Sequence, residues 1–309
     1  LDETNAPQDL IKTHTFKKVS TSMGQQTLST GLVLGAPQLA VADLERALVF
    51  YRDLLGMQLH SNDGNIARLG TSKTVLIELI KQDQAILPAH NTTGLFHVAF
   101  LFASQRDLAR TMMRLFQAGY RVGGASDHLV SQAFYLDDPD GNGIELYCDR
   151  PRSEWPMNGK FVAMDTLPLD IEAFFSVLQN DKEPLGAISD GTTVGHMHLR
   201  VSNIKTASQF YTDVVGFDLM QANYPGAAFV AVNGYHHHLG MNEWQSRGAS
   251  PAPANAVGLR FSRFSLPSQA DQDALKQRLT EANYASEEHN GELRFSDPAG
   301  NQWHVSVAA

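Results

Sequence analysis

The strongest constraint on the fold is an internal repeat. The segment LAVADLERALVFYRDLLGMQL, Leu39 to Leu59, returns as LRVSNIKTASQFYTDVVGFDL from Leu199 to Leu219, a displacement of 160 residues. DPDGNGIELY, starting at Asp138, and DPAGNQWHVS, starting at Asp297, are displaced by 159. Two segment pairs holding one order and one spacing mean two halves on a common plan. Each opening segment reads as a short alternating strand, Asp43 or Asn203 as a helix N-cap, a helix, then glycine and another strand. Leu44, Leu48, Tyr51 and Leu55 form the helical stripe of the first copy, and Phe50-Tyr51 and Phe210-Tyr211 read as core aromatics.

Each half divides again. After the first helix come the strand-like ARLG and TVLIELI; GLFHVAF then opens a second unit, with a helix from Arg106 to Ala118 and closing strands in SQAFYLDD and GIELYCD. The second half repeats this with GLRFSRFSL, a helix from Asp271 to Ala282, ELRFSD and QWHVSV. The expected fold class is α+β, four βαβββ modules forming two domains over 31–152 and 191–309. A connector over 153–190 carries a short helix around Leu169 to Leu178, and the Pro/Gly/Ala-rich run Arg247 to Gly258 separates units three and four. Residues 1–30 are polar, lack a sustained apolar period and read as a flexible N-terminal arm.

Composition limits the partners. Lys+Arg 24 against Asp+Glu 33 gives a net charge of −9, which repels nucleic acid and anionic membrane surfaces. No run approaches the ~18 apolar residues of a bilayer span, and no signal peptide is recognisable, so a cytoplasmic protein is expected. The single cysteine, Cys148, excludes an intrachain disulfide and an all-thiolate metal site, whereas 12 histidines leave room for nitrogen and oxygen ligands.

The motifs L-x-V-x-D-L-x-x-A-x-x-F-Y-x-x-x-L-G and D-P-x-G-N-x-x-E-L, in four ordered units from Ala36 to Val307, resemble the vicinal oxygen chelate superfamily. Within it, GLFHVAF, YLDDPDGNGIELYCDRPRSEW, GHMHLRVSN and NGYHHHLGMNEW resemble the type I extradiol, CatE-type catechol-2,3-dioxygenase branch. The resemblance implies two glyoxalase/extradiol-dioxygenase-like domains and a ligand set of two histidines and one glutamate. The four comparable slots at the strand starts hold Ala36, His97, His196 and Phe261. Four residues after the glycine of each DPxG turn stand Glu145 and His304. Familiar two-domain members keep the whole set within one half, and here neither half has it. If units two and three pair, His97, Glu145 and His196 restore a two-histidine, one-carboxylate facial triad with three open positions, suited to Fe(II) or alternatively Mn(II). Either histidine alone would pass as a satisfied strand residue, but Glu145 inside GIELY demands a cation or hydrogen bonds. His304, beside Phe261, reads as structural packing.

Ring cleavage also needs a base and groups that hold substrate oxygen. His128 and Tyr135, 17 and 10 residues before Glu145, resemble the histidine and tyrosine that line the family's iron pocket. Tyr135 is expected to hydrogen-bond a substrate oxygen and His128 to contact the distal ring. In Tyr235-His236-His237-His238, read as a strand, alternation puts His236 and His238 on one face, and these two are the acid/base candidates, His238 first. A bulge would reverse the parity and present His237. The implied activity is Fe(II)-dependent extradiol (meta) cleavage of catechol or a substituted catechol with dioxygen, in aromatic hydrocarbon catabolism, by a homo-oligomer. Two alternatives stand beside it: a glyoxalase-type isomerase or thiol transferase, which needs a fourth protein ligand and against which the place of Glu78 in unit one, away from the middle units, argues, and a non-catalytic aromatic-ligand binding protein. Phe134, Phe229, Trp244 and Phe264 suit an aromatic ligand but are core candidates first.

Overall fold

The computed structural model describes residues 27–159, 161–221 and 223–308, so most of the expected N-terminal arm lies outside the described residues. The first module is β1 (Val33–Val41), α1 (Leu44–Leu48), β2 (Gln58–Asn62), β3 (Ile66–Gly70) and β4 (Val75–Lys81). The second is β5 (Gly94–Phe102), α2 (Gln105–Gln117), β6 (Gly124–Asp127), β7 (Ser131–Asp137) and β8 (Gly143–Asp149). The connector contributes β9 (Met157–Asn158), β10 (Phe161–Val162), β11 (Leu167–Pro168) and α3 (Ile171–Phe175). The third module is β12 (Thr193–Arg200), α4 (Ile204–Gln209), β13 (Asp218–Gln221), β14 (Ala227–Ala231) and β15 (Leu239–Asn242). The fourth is β16 (Gly258–Leu266), α5 (Gln269–Glu281), β17 (Ser286–His289), β18 (Glu292–Ser296) and β19 (Gln302–Val307).

The helices start where a short polar side chain accepts a first-turn backbone N–H that has no acceptor within the helix. Asp43 and Asn203 accept from the backbone N–H of Arg46 and Thr206 at 3.0 and 2.9 Å. Ser104 and Ser268 accept from Asp107 and Asp271 at 3.1 and 3.2 Å. Each such cap contributes about 1 kcal/mol. α1 and α4 run on into wider, π-helical stretches, Val49–Leu54 and Phe210–Val215, which bury Phe50, Tyr51, Phe210 and Tyr211.

Sheet pairing crosses the halves. One sheet has the order β17-β18-β19-β16-β1-β4-β3-β2 and joins modules four and one; the other, β11-β6-β7-β8-β5-β12-β15-β14-β13, joins modules two and three. Within each half the modules are tied by tyrosine. Tyr51 donates its hydroxyl to Asp138 at 3.0 Å, and Tyr211 to Asp297 at 2.9 Å. Asp138 also accepts the backbone N–H groups of Asp140 and Asn142, and Asp297 those of Ala299 and Asn301. The DPxG turns are thus the anchor of the first helix of each half, held by carboxylates buried among donors.

One strand is not where the sequence puts it. Residues 235–238 form an irregular turn, and the last strand of the third module begins only at Leu239. Asn233 and Gly234 take left-handed backbone conformations, φ 55° and 59°, which end β14 and turn the chain. The strand parity used to face His236 and His238 together therefore does not apply.

Candidate metal centre

β8, β5 and β12 are neighbours in the middle of the second sheet. Ala99 on β5 is the register partner of Glu145 on β8 and also of His196 on β12, and His97 lies two residues before Ala99 on the same face. The small side chain of Ala99 leaves open the space over which a carboxylate and an imidazole approach from either side. On β8, alternation sends Ile144, Leu146 and Cys148 into the helix-side core and Glu145 and Tyr147 to the concave face. Cys148 faces away from the site, its thiol pushed up to about 12 by burial.

His97, Glu145 and His196 are all buried, and their ligand atoms converge within 4.8 Å of one another. Oε2 of Glu145 lies 2.9 Å from Nε2 of His97 and 3.0 Å from Nε2 of His196; the two nitrogens are 3.3 Å apart. An octahedral ion with ligands at about 2.1 Å has cis ligand edges of about 3.0 Å. The three edges therefore describe one face of such a site and leave the opposite face free. Burial lowers the His196 pKa to about 4, so its ring keeps a lone pair for a cation at neutral pH. Burial opposes the charge of Glu145, but His196 and His97 hold the carboxyl well below its ordinary range. Nδ1 of His196 is buried without a hydrogen-bond partner, so its ring is set by packing, against Tyr147 at 4.9 Å and His237 at 4.1 Å.

The triad floors a cavity of about 310 Å³. One flank is Tyr135, the register partner of Glu145 on β7. Its hydroxyl lies 2.6 Å from Nε2 of His128, whose Nδ1 is 2.8 Å from the Asp165 carbonyl. A carbonyl can only accept, so Nδ1 carries the proton, and in the neutral ring Nε2 accepts from Tyr135. Burial pushes the Tyr135 phenol well above its ordinary pKa, keeping it an O–H donor. The connector roofs the cavity with Met164, Asp165 and Thr166; Leu167 and Pro168 pair with Asp127 and Ser126.

The other flank is His237, which lines the cavity, whereas His236 and His238 do not. His236 is fully buried behind it. Asp149 Oδ1 accepts from Nε2 of His236 at 2.9 Å, and Nδ1 of His236 is 2.8 Å from Nδ1 of His237. With His236 Nε2 donating, its Nδ1 in the neutral ring must accept from His237, which leaves Nε2 of His237 as the unprotonated nitrogen. Burial, reinforced by the neighbouring imidazoles, lowers the His237 pKa well below its ordinary value. The second oxygen of Asp149 accepts from Tyr235 at 2.9 Å, and Tyr235 is 3.0 Å from the Tyr147 hydroxyl. Gly195 makes this network possible, since a Cβ there would lie 1.9 Å from that hydroxyl. His238 Nδ1 instead accepts from the Val232 N–H at 3.3 Å.

A fifth pocket imidazole, His198, carries no assignment from the sequence. It faces His97 across the β5–β12 ladder, hydrogen-bonds Asn242 at 3.1 Å, and has ring space because position 240 is glycine, where a Cβ would sit 2.9 Å from the imidazole. Its signal was present in GHMH, because a histidine two residues after His196 shares its face. Asp149 carried no such signal. Phe229 and Trp244 line the cavity, while Phe134 and Phe264 belong to the main core. Glu78 lies in the other sheet, beside Arg68 at 2.6 Å and Arg263 at 3.7 Å, and is no fourth ligand. His304 stacks on Phe261 at 3.8 Å and sits 3.2 Å from Glu292, the packing role expected of it.

Residues 33–146 and 193–305 match the family model of the Glyoxalase/Bleomycin resistance protein/Dioxygenase superfamily. The chain is 40% identical over 276 residues to the catechol-2,3-dioxygenase of Bacillus subtilis (strain 168), covering 87% of this chain and 95% of that protein. It is 32% identical over 111 residues to the glutathione transferase FosA of Serratia marcescens, covering 35% of this chain and 75% of the relative. Among solved structures, glyoxalase I from Zea mays superposes with a TM-score of 0.56 at 15% identity, over 89% of this chain and 92% of that one, a likeness of fold.

Proposed function

We propose, from the premise that the chain belongs to the Glyoxalase/Bleomycin resistance protein/Dioxygenase superfamily, that it is an Fe(II)-dependent extradiol dioxygenase acting on a catechol. The observation that carries this reading is the buried His97–Glu145–His196 face, with edges of 2.9, 3.0 and 3.3 Å, at the floor of a cavity large enough for an aromatic ring. His97, His196 and Glu145 would hold Fe(II), which when bound would supply Lewis-acid and one-electron chemistry to a catechol and dioxygen. Both atoms of dioxygen enter the product as the ring bond beside the diol opens, so no external reductant is required.

The remaining groups bind, orient and move protons. Tyr135, whose O–H is held by His128 Nε2 before substrate binds, hydrogen-bonds one catechol oxygen by turning that O–H from His128 to it. Nε2 of His237 accepts the catechol proton, and its aim and tautomer are set by His236 and Asp149. His236, expected to act directly, thus acts through His237. The connector roof and aromatic walls line the cavity above the triad.

Loading the protein anaerobically with Fe(II), then adding catechol and oxygen, should give one equivalent of oxygen uptake and a yellow hydroxymuconic semialdehyde. Stoichiometric iron without either signal over a catechol panel would reject the reading. Activity with Mn(II) would move the metal assignment but not the reaction. The same reading takes 31–152 and 191–309 as the halves of a duplication and the protein as a cytoplasmic homo-oligomer. The net charge of −9 supports a location away from anionic surfaces, and no helix is long and apolar enough to cross a membrane among the described residues.

A further inference from the structure

We propose that the preferred substrates are neutral catechols carrying an apolar ring substituent, and that catechols bearing a carboxylate are rejected; this rests on the ring-cleavage reading and narrows it. A cavity of about 150 Å³ is enough to hold benzene. The space above the triad, about 310 Å³, is roughly twice that, so a bare dihydroxybenzene would leave room beside it. That room is walled mainly by aromatic side chains. Phe96 packs edge-on against Trp244 at 5.4 Å, and Tyr224 closes on Phe229 at 6.1 Å and on Trp244 at 6.2 Å. The Trp244 indole N–H is already spent on the Pro225 carbonyl at 2.8 Å, so this residue, 46% exposed, offers the cavity its ring and no donor. Met164 and Val130 extend the apolar wall, which is interrupted by the uncharged Ser126, Ser131 and Gln221.

Charge sharpens the preference. Among the described residues that line the cavity there is no lysine or arginine, and the one carboxylate besides Glu145 is Asp165, in the roof. His128, which meets the roof at Asp165, has both ring nitrogens engaged, by Tyr135 and by the Asp165 carbonyl. A substrate carboxylate would lose water, gain no cation and face a like charge, whereas an alkyl or aryl group would gain from burial against the wall. A buried, unpaired charge lowers kcat/KM by at least about 100-fold.

The test compares catechol, 4-methylcatechol and 3,4-dihydroxybenzoate on the Fe(II)-loaded protein, with anaerobic equilibrium dialysis of each to read binding apart from turnover. The expected result is 4-methylcatechol at or above catechol, and the benzoate at least about 100-fold lower in kcat/KM with matching loss of binding. Thr166→Arg, which places a cation in the roof, should narrow that gap by at least about 10-fold. A benzoate within about 10-fold of catechol in wild-type protein, or a gap unmoved by T166R, overturns the proposal. Failure to cleave any of the three overturns the ring-cleavage reading instead, and dialysis still reads the pocket's preference.

Discussion

The two sheets are built on one register and filled differently. In one, Ala99 stands between Glu145 and His196; in the other, Gln38 stands between Glu78 and Phe261. Glu145 and Glu78 are equivalent residues, each 3% exposed. Glu145 meets two imidazoles whose lone pairs can also face a metal ion. Glu78 instead ion-pairs with Arg68 and Arg263 and accepts from Gln38, and the Arg263 guanidinium spreads over the Phe261 ring at 4.5 Å while donating to the Ala36 carbonyl at 3.1 Å. A guanidinium thus supplies in one cup the positive charge that a metal ion would supply in the other. The scaffold demands a cation beside the carboxylate, and neighbouring side chains decide whether it is covalently attached or exchangeable.

The largest effect that would break this comparison is on metal binding. Glu145→Gln should lower metal affinity by about 100-fold or more and abolish turnover, whereas Glu78→Gln should leave the metal content, read by elemental analysis, at the wild-type value. If E78Q also lost the metal, the two cups would not be independent.

Acid should then separate the sheets in the metal-free protein. Burial lowers the His196 and His238 pKa values to about 4, against about 6.5 in an unfolded chain. Between these values the unfolded state binds more protons, so stability is full above pH 6.5 and falls as pH drops toward 4, by roughly 3 kcal/mol per ring. Urea unfolding at a series of pH values gives the slope, and hydrogen exchange at pH 5 should show β12 and β15 losing protection before β1 and β16.

Glu78→Gln should cost less, about 2 kcal/mol in the same urea assay, because Arg68 and Arg263 remain partly exposed and can recover water. The smallest effect concerns orientation. Asp149→Asn should lower kcat about 10-fold with KM and metal content unchanged, since only the alignment of His237 is disturbed. A parallel loss of metal would show that Asp149 is structural.

What was legible in the sequence follows from where the information lay. The repeat carries the four modules, and the cross-half ligand set followed from noticing that only modules two and three hold histidine at the strand start. The pocket histidines were harder. Asn233-Gly234, a left-handed turn signal directly before Tyr235, breaks the strand that would face His236 and His238 together, and His237 lines the cavity instead. Asp149 was invisible because its partners are 86 and 87 residues away, and no local pattern announces such a contact. The arginine-filled cup was equally hidden, since Arg263 reaches Glu78 and its hairpin partner Arg68 only when module four pairs with module one.

Hydrogen-bonded sheets join modules two to three and four to one, and tyrosine-to-aspartate bonds join one to two and three to four. The four modules therefore form a closed cycle. Val33 pairs with Ser265 on one side of β16, and Val307 pairs with Leu266 on the other, so the two ends of the cycle lie about two strand spacings, roughly 10 Å, apart. A short bridge there, with a new opening in the run from Arg247 to Gly258, would give a circularly permuted chain beginning with module four that retains both inter-module sheet pairings and both tyrosine-to-aspartate bonds. Module order along the polypeptide is then a question of where the cycle is opened, and the iron cup, assembled from its middle, is indifferent to the answer.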